Sequence, residues 1–206
     1  MCDLPPVDNV IMPDDIMYAF LGDWGERIKV LGRLHRTRYK DEALVLCCCY
    51  IQTVGGWLCV HEDPRRAFTE SLLTYSDIEL FRMINLRRLL SELKRDAWRA
   101  LEDKLKYSSI FWRSGFSPEE EITGLCKANL SEDEFVRLGE QLWRGTLAHA
   151  SYDILRCDGV HDGLMLWKGG QTSLGFPVFY SALKQIFDRA KDLAIARKLP
   201  SFGCRD

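Results

Sequence analysis

Apolar residues recur at steps of three and four along most of the chain, and strict alternation is scarce. That is the pattern of amphipathic helices rather than strands. Residues 1–12 read as an irregular lead-in. Pro13-Asp14-Asp15 then reads as a helix start, with acids in the first turn opposing the positive end of the helix dipole. The spacing predicts a helix to about Arg36 that buries Ile16, Phe20, Trp24, Ile28 and Leu31. A second helix, from Asp41 to Val54, is apolar on nearly every side, as a buried central element is. Gly55-Gly56 is expected to end it.

Asp63-Pro64 opens a short helix through Phe68, Leu72 and Leu73. Asn85 caps a longer one, in which Leu86, Leu89, Leu90, Leu93, Ala97, Ala100 and Leu101 share a face. Ser117-Pro118-Glu119-Glu120 and Ser131-Glu132-Asp133-Glu134 both carry capping logic. The second is predicted to start a helix that runs unbroken to about Leu155. Residues 159–176 are glycine-rich and read as a loop that allows a short β-hairpin around Leu164 to Trp167. A last helix from Pro177 to about Lys198 packs Phe179, Leu183, Ile186, Ala190, Leu193 and Ala194, and Pro200 stops it. The expectation is an all-α fold: one helical-bundle domain of five to seven helices over residues 13–200.

Composition narrows the class. The 206 residues are 47% hydrophobic, which fits a globular chain and excludes disordered and collagen-like ones. A net charge of −2 argues against a field able to track an extended polyanion. The acidic, proline-containing N-terminus is not a secretory signal. The longest apolar run, Ala43 to Ile51, falls short of the ~20 residues a membrane helix needs. Of the eight cysteines, Cys47, Cys48 and Cys49 are adjacent, which suits hydrophobic packing better than a disulfide scaffold. A cytoplasmic, reducing setting is expected.

Chemistry-bearing motifs are few. GxSxG, HExxH, DFG and GxGxxG are absent from the sequence, so serine hydrolases, zincins, kinases and dinucleotide enzymes lack support. Cys126, Cys157 and His161, with Asp158 or Asp162, do not make the tight ligand pairs of a zinc site, and no metal or cofactor is expected. The stretch Arg27, Lys29, Arg33, His35, Arg36, Arg38, Lys40 holds Glu26 beside it as its one acid. It reads either as cations favoured at a helix C-terminus or as a phosphate- or RNA-contacting patch centred on Arg33, Arg36 and Arg38.

Between Phe135 and Tyr152, the residues Phe135, Leu138, Leu142, Gly145, His149 and Tyr152 fall on one helical face. Arg144 precedes His149 by five positions. This Arg144-x4-His149 segment, LWRGTLAH, resembles the R-x4–6-H motif of the HEPN superfamily of helical bundles. A second copy of the spacing, Arg156 to His161, straddles a helix end and the glycine loop. The resemblance covers residues 41–198 as a helical layout and about a dozen residues as a motif. It implies a metal-independent endoribonuclease of toxin or defence type. Arg144 would hold the scissile phosphate, and His149 would serve as general acid or base. Five residues turn an α-helix by about 500°, which leaves the two side chains diverging by roughly 140°, so a composite site across a homodimer two-fold is expected. Active members commonly carry asparagine after the arginine, where this chain has Gly145. The alternative is a non-catalytic helical module that binds a protein or a nucleotide.

Overall fold

The computed structural model describes residues 13–59, 61, 63–93, 102–111, 115–153 and 175–196. They form an all-α fold. Helix α1 spans Asp14–Leu34, α2 Lys40–Leu58, α3 Pro64–Tyr75 and α4 Leu86–Glu92. After a helical turn at 102–105 come α5 (Glu119–Asn129), α6 (Glu132–Gly139), α7 (Leu147–Ser151) and α8 (Phe176–Ile195). Single 3-10 turns cover Glu79–Arg82 and Leu142–Gly145. Among the described residues the helices already exceed the five to seven expected, and one predicted helix is broken in the middle.

The all-round apolar α2 does sit at the centre, against α1, α3 and α8. Ala43, Cys47, Cys48, Ile51 and Val54 are fully buried there, with Phe68 and Leu72 of α3 and Phe179, Leu183 and Ile186 of α8. Cys47, Cys48, Cys49, Cys59 and Cys126 are free thiols. Burial pushes Cys59 and Cys126 up to about 11 and Cys47 higher still, so these thiols pack as small apolar groups. A second cluster gathers Ile84, Leu89, Leu105, Ile122, Cys126 and Leu138 around α4, α5 and α6. Among the described residues no helix is long and apolar enough to cross a membrane.

Four local expectations are corrected. The buried stripe of α1 runs through Met17, Leu21, Ile28 and Leu31, while Ile16 is 52% exposed. The N-terminal half is therefore rotated by one position, with Phe20 and Trp24 at the margin against Trp57. Gly55-Gly56 does not end α2. A Cβ on Gly55 would lie 2.7 Å from Ser71 Oγ, so this glycine is where α3 crosses close to α2. Ser117 does not cap α5, whose cap position is Pro118 without a side-chain cap bond; the Ser117 backbone instead pairs with Ile84.

The fourth correction bears on the site. The helix expected from Ser131 to Leu155 stops at Gly139. Its start is as read: Ser131 and Glu134 form a reciprocal capping box. Beyond Gln141 the chain makes one 3-10 turn, and Thr146 then caps a new helix by accepting the His149 N–H at 3.2 Å. Tertiary backbone bonds force the break. The Asn85 N–H donates to the Gly145 carbonyl at 2.9 Å, and the Leu147 N–H donates to the Met83 carbonyl at 2.8 Å. A continuous helix would have spent those groups within itself.

Asn85 ties this junction together. Its Oδ1 accepts the Arg88 N–H at 2.8 Å to cap α4, and its Nδ2 donates to the Gly115 carbonyl at 3.0 Å. Asn85→Ala is expected to lower stability by about 1 kcal/mol, measured by urea unfolding. No change in midpoint would show that the cap is dispensable.

Candidate functional site

The broken helix changes how Arg144 and His149 relate. Arg144 sits on the 3-10 turn and His149 in the first turn of α7. Both pack on Trp143: the Arg144 guanidinium lies 5.0 Å from the centre of the indole, and the His149 ring meets it edge-on at 5.1 Å. One side chain thus joins two groups that a straight helix would have separated.

His149 is only 1% exposed. Its Nδ1 and the Arg144 Nε are buried without a hydrogen-bond partner among the described residues. Burial lowers the His149 pKa from 6.5 to about 4. Asp153 and Glu92 pull it upward, while Arg88 and Arg65 push it down. The ring is therefore neutral near pH 7, where a general acid would need its proton.

Around the imidazole lies a charge cluster that the sequence did not advertise. Arg65, in the first turn of α3, meets Asp153 Oδ1 at 3.0 Å, and Arg88 of α4 bonds the other oxygen of the same carboxylate. Arg65 also stacks over Tyr152. Next to it, Glu70 accepts from Arg66 at 2.9 Å and pairs with His61, and Arg66 lies over Trp143. Asp153 is shared by two arginines and Glu70 by an arginine and an imidazole, so the network ties α3 and α4 to the segment just past α7. Its local signals were spacings of four: Arg66 to Glu70, Arg88 to Glu92 and His149 to Asp153.

The basic stretch divides. Arg33 and Arg36 line an opening between α1 and α8, whereas Arg38 turns away to donate to the Tyr39 hydroxyl at 2.7 Å and stack on its ring. Among the described residues no three His, Cys, Asp or Glu side chains converge as a metal ion needs. Cys157, Asp158, His161 and Asp162 lie outside the described residues, as do Arg156 and the hairpin expected at Leu164 to Trp167.

No protein-family model matches the chain, and no curated protein or solved structure matches it.

Proposed function

We propose that the chain is a non-catalytic helical binding module, with Arg144 and His149 serving its packing. The observation that carries this reading is the burial of His149: a ring 1% exposed and held neutral neither touches a substrate nor supplies a proton near pH 7. The partly exposed Arg65–Asp153–Arg88 network beside it supports the same reading. Each cation there is spent on joining helices rather than left for a ligand.

The HEPN-like ribonuclease is the second reading. It is favoured by the shared contact of Arg144 and His149 with Trp143 and by the two unpartnered nitrogens they bring there. It carries with it a homodimer that would complete the site. RNA cleavage with chelator present, by the natural chain and by His149→Ala, separates the two. The module reading expects no cleavage above background in either protein. Cleavage by the natural chain that disappears in His149→Ala overturns it in favour of the ribonuclease.

A further inference from the structure

The C-terminal half of α1 and the N-terminal half of α8 leave an opening of about 390 Å³ between them. It lies away from the Arg144–His149 junction, and none of its lining residues belongs to that site. Four cations border it: Lys29, Arg33 and Arg36 from α1 and its exit, and Lys184 from α8. No carboxylate is among its lining residues. Two acids, Glu26 and Asp188, lie in the adjoining recess, and Glu26 is paired with Lys29 at 2.6 Å. Arg33 and Arg36 line the opening and form no ion pair with a carboxylate among the described residues, and Arg33 acts on Glu26 only through its field.

The inner wall is aromatic. His35 stacks on Phe176 at 4.1 Å with planes 10° apart, and Phe176 stacks on Tyr180 at 5.1 Å and 17°. His35 Nδ1 is buried there without a hydrogen-bond partner among the described residues. Lys184 lies over the Tyr180 ring, where a cation is held ready beside a flat apolar face. A second recess of about 470 Å³ continues along the same helices and shares Lys29, Tyr180 and Lys184 with the first.

Resting on the module reading, we propose that this opening binds a nucleoside diphosphate. Arg33 and Arg36, with Lys29 and Lys184, hold the phosphates, since guanidinium forks match phosphate oxygens. The stacked His35–Phe176–Tyr180 wall packs the base and ribose. The space suits this class: it lies in the ~300–1,000 Å³ range of small-molecule sites and is larger than a bare phosphate requires. The total charge of −2 agrees with a local site for one small anion better than with a track for a polymer.

The test is calorimetric titration of the full chain with ADP, GDP, CDP and UDP, and separately with inorganic pyrophosphate, the four nucleosides and a 12-nucleotide single-stranded RNA. At least one diphosphate is expected to bind at least tenfold tighter than pyrophosphate or its own nucleoside. Arg33→Glu/Arg36→Glu is expected to weaken it at least tenfold, while Lys127→Glu/Arg137→Glu, an equal change of charge outside the opening, leaves it within twofold. No binding by any of the four, equal binding of pyrophosphate, tighter binding of the RNA, or indifference to the arginine pair would each overturn the proposal. RNA cleavage is not read in this titration, so the module reading stands or falls separately.

Discussion

Gly145→Asn is expected to lower the free energy of unfolding by about 3 kcal/mol or more, the largest loss from one substitution at the Arg144–His149 junction. A Cβ at this position would stand 2.7 Å from Leu89 Cβ, 3.0 Å from Ile84 Cγ2 and 3.3 Å from the Asn85 carbonyl oxygen. Leu89 Cβ is fixed to its helix and cannot rotate aside. The backbone of residues 145–147 cannot retreat either, because its bonds to Met83 and Asn85 clamp it. Overpacking of this kind costs about 1–3 kcal/mol, and a buried amide without partners adds about 1–3 kcal/mol. Gly145→Ala isolates the first cost, and urea unfolding of both variants reads it. An asparagine variant as stable as the natural chain would show that the junction yields. The position matters because the HEPN motif commonly has asparagine there. In this fold glycine is demanded by the approach of α4, so its presence has a packing cause independent of activity.

The same junction explains what could be read from the sequence. Helices α1, α2, α3 and α8 were legible because runs of apolar residues, acids in the first turn of α1 and α2 and prolines at the start of α3 and α8 are local signals. Asp63 before Pro64 accepts the Arg65 N–H as its type and position suggest. The break at residues 140–146 was not legible. Phe135, Leu138, Leu142, Gly145, His149 and Tyr152 keep helical spacing straight through it, and the competing bonds come from residues 83–85, remote in sequence. Tertiary pairing won over local periodicity there, and it moved Arg144 off the helix that carries His149. The Arg65–Asp153–Arg88 cluster was hidden for the same reason, since Arg88 and Asp153 lie 65 residues apart. The opening beside α1 was half legible: Arg33 and Arg36 stood out as a basic run, whereas Tyr180 and Lys184 join them only once α8 packs alongside.

The burial of His149 also predicts how stability depends on acidity. Stability is expected to hold with respect to this residue above about pH 6.5 and to fall as pH drops from there to about 4. The sign follows from proton uptake. In the unfolded chain His149 takes a proton near its ordinary value of 6.5, while in the folded chain desolvation delays that uptake to about 4. Between the two the unfolded state binds more protons, so acid favours unfolding. The gap corresponds to at most about 3 kcal/mol. Burial of the ring sets the gap, and the partly exposed charges beside it act in opposite directions. Asp153 and Glu92 oppose the effect, and Arg65 and Arg88 reinforce it. Other groups act in a different window: Glu134, held at about 2 by Lys104 and by the Ser131 cap, loses its contribution only as pH falls from about 4.5 toward 2. Urea unfolding of the natural chain and of His149→Gln from pH 8 to 4 reads the difference, because glutamine removes the titration while keeping a polar side chain. The natural chain is expected to lose stability across the window with the variant nearly flat. Parallel curves would mean that the imidazole titrates in the folded protein as it does in water. That would require a ring open to solvent beside Arg144, which is what a general acid or base needs and what a packing residue lacks.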